Sequence, residues 1–151
     1  MGRMWALVAN SSFAKIFEIQ GHGKYIKEIH HFDYPEGRMK SGEILNDRPG
    51  RAFDRMGEGR HALGTEVDVH THEQQIFAHK LAHVLYEGKV NRLYDELALV
   101  APPQFLGELK QALESQVAKL VSKEIPKDLA SHFSEKELID HLVKYLDLWN
   151  H

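Results

Sequence analysis

The chain contains no cysteine. That excludes a disulfide framework and thiolate chemistry, and it fits a reducing compartment. No run approaches the roughly 18–20 apolar residues of a membrane span, so no membrane partner is expected. The amino terminus, MGRMWALVAN, is too short and too quickly polar for a secretory signal. Ala6 also breaks the myristoylation pattern. A cytoplasmic location is the expectation. The formal net charge is −3 over 151 residues, which argues against a wholly basic nucleic-acid binder. Internal repeats, low-complexity tracts and linkers are missing too, so the chain reads as a single domain over residues 1–151.

What is present falls into a regular order around one irregular stretch. Met4–Ala9 is a continuous apolar run that suits a central strand covered on both faces. Asn10-Ser11-Ser12 reads as a turn, Ala14–Gln20 as a second strand, and Gly21-His22-Gly23 as the next turn. Tyr25–Tyr34, more polar, reads as a third strand nearer an edge. After the irregular stretch, Thr71 with Gln74 makes a capping box that opens a helix. Phe77, Ala78, Leu81, Val84 and Leu85 form its apolar face, with Gly88 as its stop. Leu97–Ala101 is a second fully apolar strand. Pro102-Pro103 then starts a helix through Leu113. Ala118–Ile125 reads as a fifth strand, and Ser134 with Glu137 caps a final amphipathic helix. The order βββ-loop-α-β-α-β-α predicts a mixed five-stranded α/β sheet in the order 3-2-1-4-5, ribonuclease-H-like, with helices on both faces.

The irregular stretch, a long Gly/Arg-rich loop over residues 35–70, is most concentrated between Pro35 and Gly64. That span holds six of the eleven glycines and five of the seven arginines. A segment of this length without hydrophobic periodicity is usually functional or disordered. Glycine lets a backbone approach a ligand closely, and guanidinium forks suit phosphate. Arg48-Pro49-Gly50-Arg51 is a turn that presents two guanidinium groups together. Gly57-Glu58-Gly59-Arg60-His61 adds two glycines, a cation and an imidazole. The expected binding set is Arg48, Arg51, Arg55, Gly57, Gly59, Arg60 and His61. It does not form a nucleotide fingerprint, because about ten residues separate Gly59 from the expected helix start at Thr71.

Recognisable enzyme chemistry is sparse. Two-metal nuclease action needs converging carboxylates. The first strand has none, and Asp95 and Glu96 sit only at the start of the fourth. Ser11 and Ser12 lie in a turn without an elbow motif around them. His30 and His31 sit on adjacent faces of one strand. His72, His79 and His83 share a helix face with Ile76. That stripe reads first as a solvated face, since no carboxylate with ligand spacing completes a metal site on the helix. A chelating pair, or a partner surface anchored by Ile76, are the other readings. No catalytic residue, metal or cofactor is assigned.

Four stretches resemble the bacterial family of proteins required for attachment to host cells. They are WALVANSSFAKIFEI, LNDRPGRAFDRMGEGRHAL, HTHEQQIFAHKLA and LALVAPPQFLGELKQAL. That family resembles the middle domain of archaeal and eukaryotic class-1 release factors and of Pelota. The resemblance implies a ribonuclease-H-like domain that acts in the ribosome through a loop after the third strand. In the release factors that loop carries Gly-Gly-Gln. The comparable position here, Gly57–His61, lacks the glutamine. The expected function is therefore a non-enzymatic, translation-factor-like module. It would contact the ribosome or structured RNA, rRNA or tRNA, in stress or stalling, without peptidyl-tRNA hydrolysis. The alternatives are a small hydrolase using His61 with a metal or loop carboxylate, and a protein-interaction factor affecting attachment.

Overall fold

The computed structural model describes residues 2–38, 62–130 and 134–148. Five strands form one sheet: β1 (Arg3–Ala9), β2 (Phe13–Gln20), β3 (Tyr25–Asp33), β4 (Glu96–Val100) and β5 (Val121–Ile125). Their order is β3-β2-β1-β4-β5. β1 pairs antiparallel with β2 and parallel with β4. The meander therefore occupies one half of the sheet and the parallel strands the other. This is the order expected from the sequence, with the two continuous apolar runs at the centre.

The reason lies in how the strands are buried. Along β1, Trp5, Leu7 and Ala9 face one core while Met4, Ala6 and Val8 face the other. β4 divides in the same way, with Leu97 and Leu99 on the first side and Ala98 and Val100 on the second. A strand covered on both faces has no solvent-facing positions, so it reads as unbroken apolar sequence. β3, at the edge, keeps a mostly exposed or half-buried pattern. Its pairing with β2 carries a bulge at Ile29, where the register shifts between Ile16 and Phe17.

Helices cover both faces. On the first lie α1 (Ala62–Val90), α2 (Pro103–Ala112) and the single turn α3 (Ser115–Ala118). They supply Phe77, Leu81, Leu85, Phe105, Leu109 and Val117 to the core. On the second lies α4 (Glu135–Tyr145), which supplies Leu138 and Leu142. Its amino terminus is closed by the expected reciprocal capping box of Ser134 and Glu137.

Three local expectations are corrected. α1 does not begin at Thr71; it is already helical from Ala62, so the Thr71–Gln74 pair lies inside it and caps nothing. Residues 62–70, expected in the loop, therefore belong to this helix, and Pro35–Arg38, expected at the loop's start, form a 3-10 turn. Gly88 does not stop the helix either. It is buried inside α1, where a Cβ would fall 2.7 Å from the Trp5 ring and 3.0 Å from Tyr94. The helix closes two residues later, with Arg92 in the left-handed region at φ 58°. Arg92 N–H donates to the Lys89 carbonyl and Leu93 N–H to the Gly88 carbonyl, the Schellman pattern. Finally, the expected fifth strand starts late. Ser115–Ala118 coils into α3 so that Val117 reaches the core, and β5 begins at Val121.

Candidate functional site

The parallel strands β1, β4 and β5 all end at the same edge of the sheet. From there β1 turns back into β2, while β4 leaves through α2 toward β5. Chain paths diverging from neighbouring parallel strands open a crevice at their carboxyl ends, the usual ligand position in open α/β sheets. A cavity of about 400 Å³ occupies this place.

Asn10 organises it. This side chain is 7% exposed, directly after β1. Its carbonyl oxygen accepts from Ser12 N–H at 2.8 Å, Phe13 N–H at 3.0 Å and the Ser12 hydroxyl at 3.0 Å. Its own N–H donates to the Phe13 carbonyl. This Asx-turn reverses the chain within three residues. The Asn10 amide also donates to Asp128 Oδ1 at 3.4 Å, reaching across to the segment after β5. One buried amide thus ties the ends of two strands that are not neighbours in the sheet.

The rim is completed by three further segments. Pro102 and Gln104 come from the start of α2, whose first turn leaves backbone N–H groups without helical partners. Gln74 comes from α1. Gly37 comes from the chain that leaves β3, and it is seated so closely that a Cβ there would fall 1.8 Å from the Ser11 carbonyl oxygen. Only glycine fits this approach. The same segment is clamped at Tyr34. Its backbone N–H donates to the Ser12 carbonyl at 2.7 Å. Its ring stacks on Phe77 at 5.0 Å, and its hydroxyl donates to the carboxylate of Glu73, a residue 1% exposed. Lys80 Nζ lies 5.1 Å from the Tyr34 ring centroid, within cation–π range.

The described lining of the crevice mixes polar and apolar surface and carries little charge. Among the described residues that line it, Asp128 is the one ionisable side chain, beside Asn10, Ser11, Ser12, Gln74 and Gln104. Such a lining offers neutral donors and acceptors with a single negative charge. It suits hydrogen-bond recognition, and it holds no nucleophile–base pair.

The sequence-expected binding set, Arg48, Arg51, Arg55, Gly57, Gly59, Arg60 and His61, lies outside the described residues. The structure places the elements on either side of it: Gly37 on the crevice rim, and Ala62 at the start of a 29-residue helix. About 18 Å of helix separates Ala62 from Gln74.

The histidine stripe on α1 is exposed at His72, His79 and His83. His83 Nε2 lies 3.3 Å from Glu87 Oε2. Among the described residues, no three His, Asp or Glu side chains are grouped to hold a metal. Ile76 is half-buried against the core rather than an exposed anchor. The Asp95 carboxylate accepts from the Arg3 backbone N–H at 3.0 Å, at the opposite edge of the sheet from the crevice. His30 packs edge-on to Trp5 at 5.8 Å. Sequence reasoning missed Asn10, Gln74, Gln104 and Asp128 as a group. The usable signal was positional: each parallel strand's carboxyl end, and the residues that follow it, belong to one edge.

The fold and crevice define a mixed α/β domain with a ligand-sized recess at the carboxyl edge of its parallel strands and no helix, among the described residues, long and apolar enough to cross a membrane. The family model described as protein required for attachment to host cells matches residues 5–142, and the chain belongs to that family. It is also similar to an uncharacterized protein of Rickettsia prowazekii (strain Madrid E), 49% identical over 39 residues. That match covers 26% of this chain and 26% of the relative's length.

Proposed function

We propose that the protein is a cytoplasmic binding module, related to the middle domain of class-1 release factors, that contacts the ribosome or structured RNA. The contact runs through the arginines of the segment between Gly37 and Ala62. The observation that carries this reading is the way that segment is framed. Five arginines of the chain fall between residues 35 and 64. The chain enters through Gly37, fixed on the Ser11 carbonyl, and through Tyr34, fixed on Glu73 and Phe77. It returns directly into α1. An arginine-bearing segment whose two ends are held by packed elements pays less ordering cost on binding than an unanchored one.

Peptidyl-tRNA hydrolysis is not part of the proposal, because Gly57-Glu58-Gly59-Arg60-His61 contains no glutamine. The attachment named in the family description is then an indirect effect of altered translation, in stress or stalling.

The test is co-sedimentation with ribosomes from the source cells, and filter binding to tRNA, across a salt series. Replacing Arg48, Arg51 and Arg60 together with alanine should weaken association. It should also lower the salt slope by roughly one unit for each phosphate no longer neutralised. A folded triple variant that binds as well as the parent, or a parent that does not sediment with ribosomes or bind tRNA, would overturn the proposal.

A further inference from the structure

We propose that His79 and His83 of α1, with the carboxylate of Glu114 from the turn between α2 and α3, bind one divalent transition ion of the zinc, nickel or copper class. The inference does not depend on the contact proposed for the arginine segment or on the carboxyl-edge crevice, and it uses only described residues.

The histidine pair comes first. His79 and His83 are four residues apart inside a 29-residue helix, so they stand on one face, one turn apart. Side chains at that spacing have Cβ atoms about 5–6 Å apart. Metal–nitrogen bonds of about 2.0–2.1 Å let one ion reach both imidazoles across that gap. Two histidines at i and i+4 recur as a helical chelate for this reason. Both side chains are exposed, so the rings turn onto an ion without opening the core.

Glu87 supplies the contact that such ligands use behind the metal. Its Oε2 lies 3.3 Å from His83 Nε2. A proton on Nε2, held toward that carboxylate, leaves the lone pair of Nδ1 for the ion. Metal-ligating histidines donate their second ring N–H to a carboxylate in this way, which orients the ring and raises its basicity.

The third ligand comes from another element, which is why no spacing along α1 announces it. A recess of about 140 Å³ is bounded by His79, Ala82, His83 and Tyr86 of α1 and by Ala112 and Glu114 beyond α1. That volume falls below the roughly 300–1,000 Å³ of small-molecule pockets, and it suits one ion with its remaining waters. The backbone holds Glu114 in place. It caps α3, and its carbonyl accepts from Val117 N–H and Ala118 N–H at 2.9 Å each. Lys89 Nζ donates to Gln116 Oε1 at 3.0 Å, which ties the same turn to α1. Among the described residues, no three imidazole or carboxylate groups already surround one point. Closure therefore takes rotation of the exposed Glu114 side chain, with the three backbone positions unchanged.

Chemistry then selects the ion. Imidazole nitrogen suits zinc, copper and nickel, whereas magnesium and calcium take oxygen ligands. Two imidazoles and one carboxylate leave a coordination position for water, the ligand count of an open site. The Glu87 carboxylate beside His83 adds negative charge next to the pair, which favours a cation there.

The experiment is an NMR titration of the isotope-labelled full chain, without an affinity tag, with zinc chloride. Magnesium chloride is the control, and sedimentation velocity reads the assembly state. Zinc should shift the His79 and His83 ring signals saturably, with one ion for each chain at this site, and magnesium should not. His83→Ala should abolish the saturable shift of the His79 ring, and His79→Ala that of the His83 ring. Both positions are exposed, so the rest of the spectrum should report an unchanged fold. Glu87→Gln should weaken zinc binding about tenfold, the lower end for a carboxylate behind a ligating histidine, and Glu114→Gln should weaken it more.

Zinc that leaves the two rings unmoved would overturn the site. So would a His79 shift that persists unchanged in His83→Ala, because a single surface imidazole would then account for it. Glu114→Gln binding zinc as the parent does, or one ion shared between two chains in a zinc-dependent dimer, would overturn the assignment of the third ligand. Magnesium moving the rings as zinc does would overturn the choice of ion. The Arg48, Arg51 and Arg60 triple variant should bind zinc as the parent does, so failure of the ribosome reading leaves this test intact.

Discussion

Replacing Asn10 with alanine removes the one side chain that organises both the β1–β2 turn and the crevice. In the native protein its carbonyl oxygen serves two backbone N–H groups, those of Ser12 and Phe13, and the Ser12 hydroxyl. The hydroxyl can turn toward water, but the two backbone donors are fixed. Removing each bond to them costs about 1 kcal/mol, and a donor left buried costs up to about 3 kcal/mol. The amide that reached Asp128 goes as well, though at 3.4 Å that bond is long and contributes less. The expected destabilisation is about 2–3 kcal/mol, a fall in Tm of roughly 4–12 °C for a domain of this size. Urea unfolding followed by tryptophan fluorescence measures it, since Trp5 is 2% exposed in the native core. Asn10→Asp separates the two roles. It keeps the acceptor for the turn but sets a second carboxylate against Asp128, so it should cost less than alanine if the turn dominates. A loss below about 0.5 kcal/mol for Asn10→Ala, the level of an ordinary surface change, would refute this account. An aspartate variant less stable than the alanine one would move the weight to the Asp128 contact.

Gly88→Ala should destabilise by about 1–3 kcal/mol through overpacking, because the new methyl meets the Trp5 ring at 2.7 Å. In a double-mutant cycle the loss from Gly88→Ala should be smaller in a Trp5→Leu background than in the parent, and unchanged melting of the single variant would show that α1 shifts freely. Burial pushes the Tyr94 phenol from its ordinary 10.0 up to about 12, while its hydroxyl donates to the Leu85 carbonyl at 2.6 Å. The neutral form is therefore favoured in the fold. Stability that is fully present below pH 10 should be lost as pH rises toward about 12. Tyr94→Phe should flatten this alkaline loss in urea midpoints taken across that window, and an unchanged slope would refute it. Ser134→Ala should cost about 1 kcal/mol by opening the capping box of α4. Hydrogen exchange localised to the first turn of that helix would report it, and unaltered protection there would count against the cap.

The architecture was legible in the sequence wherever burial is periodic. β1 and β4 are apolar at every position because both of their faces are covered, so composition alone placed them at the centre of the sheet. Short turns fixed the meander, and Ser134 with Glu137 declared the start of α4, since capping is decided within four residues. The same local logic failed at Thr71 and Gln74, a cap pattern that the chain overrides by continuing the helix back to Ala62. It failed at Gly88, where the glycine answers a ring eighty-three residues away rather than a helix end. The crevice was beyond local reading altogether. Asn10 and Asp128 are 118 residues apart, and Tyr34 finds Glu73 across the long segment. Nothing in their neighbourhoods marks them as partners. Periodicity and capping are properties of a few consecutive residues, and sequence determines them directly. Which strand ends share an edge, and which side chains then meet over it, follows only once the sheet order has brought distant segments together.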